Sequence, residues 1–284
     1  MRFISRKAEV HECLDEARAE NKSVGLVPTM GYLHGGHISL IERSIEENDI
    51  TMATIFVNPL QFSEGEDLSS YPRDLQSDRE QCESVGVDLL FVPSLEEMYS
   101  KPVHTSVHVD NLTTSMEGRS RPTHFSGVAT VVTKLFNITG PCNTYFGEKD
   151  WQQLQVVTTL ARDLSFRINV VGCPTIRHSD GLALSSRNAY LTAEERLSAS
   201  VLSRSLQKAS ELVQSGEILA SVIRTLIVDE IATEPRVILD YVEVVEGNSL
   251  GSITEIGPGA RILLAAKFGK ARLIDNVDPY VGIS

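Results

Sequence analysis

Charged and apolar positions alternate with a helical period across residues 5–21, where Ala8, Cys13, Leu14 and Ala17 stand among acidic and basic side chains. A short apolar run, residues 23–28 (SVGLVP), reads as a buried strand, and residues 36–48 (GHISLIERSIEEN) return to the helical period. Residues 50–57 (ITMATIFV) predict a second strand, residues 75–85 a helix beyond a polar loop, and residues 87–92 (VDLLFV) a third strand. The alternation continues with a helix over 127–138, a short strand over 144–146, a helix over 151–164 and a strand over 167–172. Strands separated by crossover helices predict an α/β fold, a parallel sheet flanked by helices, with ligands at the carboxyl ends of its strands.

Beyond about Pro174 the pattern changes. Thr192-Ala-Glu-Glu195 is a capping box, predicting a long helix to about Ser215 and a second helix to about Ala232. Residues 237–245, 260–267 and 271–275 then read as strands joined by Gly/Pro turns (Gly257-Pro-Gly259, Gly269-Lys270), and such short links suit antiparallel pairing. The expected organisation is a Rossmann-like domain over residues 1–176 and a smaller C-terminal α+β lid domain over 177–284, with no internal repeat or low-complexity tract.

Composition narrows the function classes. With 42% hydrophobic and 23% charged residues in 284, core size is not limiting. No run approaches a membrane span and the first residues lack an apolar signal-peptide core, so a cytoplasmic protein is expected. A net charge of −12 argues against an extended nucleic-acid footprint. Between Asn111 and Tyr190, however, eight Lys/Arg outnumber five Asp/Glu, which fits either a local site for phosphates or ordinary fluctuation. Cys13, Cys82, Cys142 and Cys173 lack close pairing and are expected as reduced, small core residues; His104 and His108, in a short polar strand-like segment, as structural or surface groups.

The strongest local signal is Val27-Pro-Thr-Met-Gly-Tyr-Leu-His-Gly-Gly-His-Ile-Ser-Leu40, where a strand ends, a glycine loop turns and a helix begins. His34 and His37 fall at the positive end of that helix, where backbone N–H groups hold phosphate and Gly35 and Gly36 permit close approach. The loop is neither a Walker A motif nor a dinucleotide fingerprint. A metal site would need a third ligand that the sequence does not offer nearby, and a purely structural pair is the other alternative.

His34-Gly-Gly-His37 resembles the H-x-G-H signature of the nucleotidylyltransferase and class I aminoacyl-tRNA synthetase superfamily, and the preceding Pro-Thr-Met-Gly resembles the pantothenate synthetase family in particular. Further blocks resemble that family in order: Phe56-Val-Asn-Pro-Leu-Gln-Phe62, Tyr71-Pro-Arg73, Gly118-Arg-Ser-Arg-Pro-Thr-His-Phe-Ser-Gly127, Tyr145-Phe-Gly-Glu-Lys-Asp150 with Gln152-Gln153-Leu154, Leu184-Ser-Ser-Arg-Asn188, and Arg272-Leu-Ile-Asp-Asn276. Leu184 stands where the family commonly has Met, a volume-conserving change.

The resemblance implies a homodimeric ligase that joins pantoate to β-alanine through a pantoyl-adenylate, with ATP as substrate and Mg²⁺ accompanying it. It implies catalytic roles for His34, His37, Lys149 and Arg187, and ATP contacts for Met30, Gly147, Asp150, Ser185 and Ser186. Substrate contacts are implied for Met30, Asn58, Gln61, Gln153 and Arg121, and a Mg²⁺ contact for Asp78. Physical chemistry agrees in kind: amides at a strand's carboxyl edge bind a carboxylate and a hydroxyl without burying a net charge, and an ammonium beside a helix start neutralises phosphate. Arg119, Arg121 and His124 lie in a Gly/Pro loop that either steers an anion or is merely solvated. Two rival readings are a nucleotidylyltransferase acting on a phosphate ester, which would not need the glutamine pair, and a non-catalytic nucleotide-binding module, which would release no pyrophosphate.

Overall fold

The structure, a computed structural model, describes residues 1–63, 65–99 and 103–283. It divides into two units: Met1–Glu148 with Gln152–Pro174, and Lys149–Trp151 with the chain from Thr175 onward.

The first unit is built on a six-stranded, wholly parallel sheet. Its strands are β1 (Arg2–Ile4), β2 (Val24–Thr29), β3 (Ile50–Ile55), β4 (Leu89–Phe91), β5 (Cys142–Gly147) and β6 (Ile168–Cys173), in the spatial order β1-β4-β3-β2-β5-β6. Between them run α1 (Lys7–Ala19), α2 (Gly35–Glu47), α3 (Leu75–Val85), the short α4 (Leu95–Met98) and α5 (Glu117–Ser120), then α6 (His124–Thr139) and α7 (Trp151–Asp163).

Most of these elements follow the hydrophobic pattern, with instructive differences. In α1 the buried stripe is Val10, Leu14 and Ala17, while Cys13 is only half-buried. Strand β1 escapes the pattern because just one of its residues, Ile4, is buried, and its pairing partner β4 lies far along the chain. The segment carrying His104 and His108 is exposed and forms no strand; His108 Nε2 lies 3.0 Å from Ser106 Oγ. All four cysteines are free; Cys82 and Cys173 are core residues, whereas Cys142, like Cys13, is only half-buried.

The second unit packs α8 (Ala193–Ser198), α9 (Val201–Gln214) and α10 (Ala220–Ala232) with an antiparallel sheet of β7 (Val237–Glu246), β8 (Ala260–Phe268) and β9 (Ala271–Val277). Its core joins Leu202, Leu206, Ile223 and Ile227 to Val244, Ile262, Leu264 and Phe268. The capping box is present, Thr192 Oγ1 accepting from Glu195 N and Glu195 accepting from Thr192 N. The single long helix expected there is instead interrupted after Ser198, because Leu202 N–H takes the Ala199 carbonyl three residues back and tightens the turn. Gly269, with φ 52°, makes the two-residue turn between β8 and β9. Among the described residues no helix is long and apolar enough to cross a membrane.

Candidate active site

From β2 the chain moves through β3 to β4 in one direction, while β5 and β6 lie on the other side of β2. The reversal between β2 and β5 is the switch point at which open α/β sheets bind ligands. Pairing of β2 with β5 is confined to Gly25–Asn143 and Leu26–Thr144, although β2 runs on to Thr29 and β5 to Gly147. Pro28, in that unpaired stretch, has no N–H to contribute.

At the carboxyl end of β2 the chain turns through Gly31 (φ 78°) and Tyr32 (φ 51°) into α2. His34 is the N-cap: its Nδ1 accepts from Gly36 N at 3.1 Å, and His37 Nδ1 accepts from His34 N at 3.4 Å. The rings lie 4.0 Å apart. Because each Nδ1 serves as an acceptor, the neutral rings carry their proton on Nε2, making that atom a donor. The histidines are thus oriented by the helix start they cap.

Asp78, on α3, sits beneath this loop at 1% exposure, with Oδ1 accepting from Leu33 N (2.7 Å) and Oδ2 from Tyr32 N (2.9 Å). Burial pushes its carboxyl above the usual range, and the two amides pull it part of the way back. Among the described residues no three His, Cys, Asp or Glu side chains cluster as a metal cage. The resemblance implied a Mg²⁺ contact for Asp78; in the structure both of its carboxylate oxygens accept from the loop amides.

Next to the histidine loop lies an amide network. Gln61 Nε2 approaches Met30 Sδ at 3.1 Å, and its Oε1 accepts from Asn58 Nδ2 at 3.1 Å. Asn58, 1% exposed, is fully engaged: Nδ2 also donates to the Gly127 carbonyl, and Oδ1 accepts from Tyr99 Oη and Leu60 N. Burial pushes the Tyr99 phenol up, keeping it a donor. The Gln61 backbone carbonyl accepts from His124 Nδ1 (3.0 Å) and Arg121 Nη2 (3.3 Å). Arg121 in turn makes a bidentate pair with Glu66; burial raises that carboxyl, but the guanidinium outweighs it and holds the group below its ordinary range. Arg121 and His124 therefore brace Gln61, while Arg119 is exposed. Glu66 and Tyr99 had no signal in the sequence; only the fold brings them here.

The two glutamines at the start of α7 divide their work. Gln152 is buried and spends its amide on Glu117 N and the Leu112 and Ser115 carbonyls. Gln153, about 100° around the helix, is half-buried, and its side-chain amide makes no hydrogen bond among the described residues. Gly147 ends β5 with open space where a Cβ would stand, so packing within the protein does not account for a glycine there.

In the second unit, Lys149 Nζ is 3.8 Å from Asp150 Oδ1, with the lysine side chain 17% exposed. Ser185 caps a short turn, its Oγ accepting from Arg187 N at 3.3 Å; Ser186 is buried and Arg187 half-buried. The turn follows a two-stranded ribbon in which Arg177 bridges Ala183 and Leu184 N donates to the Ile176 carbonyl.

A parallel sheet whose switch point carries two imidazoles capping a helix, followed along the chain by a lysine-bearing turn, defines an α/β nucleotide-binding enzyme of the H-x-G-H class. A family profile described as Pantoate-beta-alanine ligase matches residues 2–278. The chain is 48% identical over 277 residues to a pantothenate synthetase of Acetivibrio thermocellus, covering 98% of this chain and 99% of the relative. The crystal structure of pantothenate synthetase from Thermus thermophilus matches with a TM-score of 0.94 at 47% identity, covering 99% of this chain and 100% of that one. A pantoate-beta-alanine ligase from Francisella tularensis, complexed with beta-gamma ATP and beta-alanine, matches with a TM-score of 0.81 at 34% identity over the whole of both chains. The chain belongs to the pantoate-beta-alanine ligase family.

Proposed function

We propose that this enzyme condenses pantoate with β-alanine, using ATP, in two half-reactions. A carboxylate oxygen of pantoate attacks the α-phosphorus, the bond to the β-phosphate oxygen breaks, and pyrophosphate leaves behind pantoyl-adenylate. The β-alanine amine then attacks the acyl carbon, expels AMP and loses a proton as the amide forms.

The observation that carries this reading is the pair of imidazoles at the α2 N-terminus, each with Nδ1 held by a backbone N–H. Their Nε2–H groups donate to the α-phosphate oxygens as negative charge builds, and the helix terminus adds its positive end. Lys149, Arg187, Ser185 and Ser186 hold the β- and γ-phosphates, Gly147 admits the nucleotide closely, and Asp150 takes a ribose hydroxyl. Gln61 and Gln153 bind the polar groups of pantoate, and Met30 packs on its apolar body and lies against the nucleotide. Asn58 orients Gln61 beside the β-alanine path, and Arg121 acts through the Gln61 carbonyl. Mg²⁺ enters with ATP and shields its phosphate oxygens. The enzyme works in the cytoplasm as a homodimer, which light scattering on the purified protein checks.

Incubation with ATP, Mg²⁺, pantoate and β-alanine, omitting each in turn, tests the reaction. Pyrophosphate appears with ATP and pantoate alone, and AMP accumulates in turnover once β-alanine is added; release of ADP and orthophosphate instead rules the scheme out.

A further inference from the structure

The block 272–276 stands apart in the sequence with no function attached, and its last two residues occupy a particular place in the second unit. Asn276, 3% exposed on β9, donates through Nδ2 to the Lys149 carbonyl at 2.8 Å and accepts through Oδ1 from Arg261 Nε at 2.7 Å. The amide's orientation is unambiguous, since a guanidinium only donates and a carbonyl only accepts. Arg261 also lies over the Trp151 ring, 3.7 Å from its centroid, and Trp151 Nε1 donates to the Gly247 carbonyl at 2.7 Å. These contacts explain why Lys149–Trp151, flanked on both sides by first-unit chain, clusters with the second unit. They fix the backbone, while the Lys149 ammonium, among the described residues, has only a 3.8 Å approach to Asp150.

The neighbouring residue secures the other segment. Asp275, 2% exposed, makes a bidentate pair with Arg177 (2.6 and 2.9 Å), and Arg177 Nη1 also donates to the Gly181 carbonyl. Arg177 thereby anchors the ribbon that delivers Ser185–Arg187. A buried ion pair is poor evidence of a gain in stability, since well-packed apolar groups often serve as well.

We propose that Asp275 and Asn276 are positioning residues for adenylate formation, fastening to one strand both segments that grip the triphosphate. This rests on the function proposed above. Neither residue needs to touch substrate.

Three variants test it. Asn276→Asp keeps the acceptor for Arg261 but sets an oxygen against the Lys149 carbonyl; Trp151→Phe keeps the ring and removes the donor to Gly247; Arg177→Lys keeps the charge and loses the bidentate geometry. Each is assayed for pyrophosphate release from ATP and pantoate, and separately for conversion of supplied pantoyl-adenylate and β-alanine to pantothenate. The expected result is a KM for ATP raised about tenfold and adenylation slowed about 10- to 100-fold, with the second half-reaction within about twofold of wild type. Wild-type adenylation in the variants overturns the proposal, as does a parallel fall of both half-reactions with a lowered Tm. Should Asn276→Asp not fold, the other two decide. Failure of the underlying reading shows separately, as absence of pyrophosphate release by the wild-type enzyme.

Discussion

Asp78 Oδ1 accepts the Leu33 backbone N–H at 2.7 Å, joining α3 to the loop that precedes the paired histidines. With the second bond to Tyr32 N, the carboxylate fills the concavity made by successive N–H groups where Gly31 and Tyr32 take positive φ. A left-handed Tyr32 costs about 1–2 kcal/mol, so the loop needs such a partner to keep its shape. Asn in place of Asp78 offers one acceptor and turns an N–H₂ toward a second N–H. Losing a charge-assisted bond costs about 1.5–3 kcal/mol, partly offset because burial already disfavours the charge. Asp78→Asn is expected to lower urea-measured stability by less than that and to slow adenylation about 100-fold, because the histidines lose their register. Unchanged single-turnover pyrophosphate release would show that the loop holds itself.

His124 makes stability depend on pH in a direction that can be worked out. Burial, and then the charge of Arg121, lower its pKa from 6.5 to about 4. Above pH 6.5 the ring is neutral in both folded and unfolded chains and its full contribution is present. Between 6.5 and 4 the unfolded chain takes up a proton that the folded one refuses, so stability is lost as pH falls; the difference is worth about 3 kcal/mol. In His124→Asn, Nδ2 replaces Nδ1–H as the donor to the Gln61 carbonyl without titrating. Wild type is therefore expected to lose about 3 kcal/mol more than the variant between pH 7 and pH 4, measured by urea unfolding at each pH. Equal losses would refute a buried neutral ring.

These two residues also mark how far a sequence can be read. The parallel sheet, the histidine loop and the capping box at Thr192 were legible because each is written in local spacing: a strand, a glycine turn, a helix, a Thr followed by Glu three residues on. Strand β1 was not, since a three-residue strand with one buried side chain carries no period. Nor was the break after Ser198, which involves neither Gly nor Pro. Within the candidate site, Gln61 and Gln153 were singled out by resemblance, but the bracing of Gln61 by Arg121 and His124 spans some 60 residues of chain and exists only once α6 packs on it. Asn276 reaches Lys149 across 127 positions, and spacing cannot encode that.

Two glycines should respond in opposite ways. A Cβ on Gly127 would meet the Leu60 carbonyl carbon and oxygen at 2.3 Å and Gln61 N at 2.4 Å, all backbone atoms. Gly127→Ala is expected to cost about 1–3 kcal/mol and to raise the KM for pantoate more than that for ATP, since the displaced turn carries Gln61. At Gly147 the Cβ meets nothing within 4 Å, so Gly147→Ala should leave stability within about 0.5 kcal/mol. On the proposed function its KM for ATP should rise nonetheless, because the methyl group would meet the bound nucleotide. A normal KM in a stable Gly147→Ala enzyme would move ATP away from the β5 terminus.

The histidines allow a substitution that separates capping from catalysis. His34 accepts the Gly36 N–H through Nδ1, an atom whose place Asn Oδ1 can take, whereas nothing in Asn extends to the position of Nε2. On the proposed function, His34→Asn therefore keeps the N-cap while removing the Nε2 donor to the α-phosphate, together with the ring packed on His37. Helix content and Tm should stay near wild type, while adenylation falls by about 10²–10³-fold, the usual effect of removing one preorganised donor to developing charge. His34→Ala loses cap and donor together, adding about 1 kcal/mol of destabilisation to the same catalytic loss. If Asn restored adenylation well above the Ala level, the imidazole's role would be to shape the helix start rather than to stabilise the transition state. The comparison needs only circular dichroism and a pyrophosphate assay, since cap and donor reside on different nitrogens of one ring.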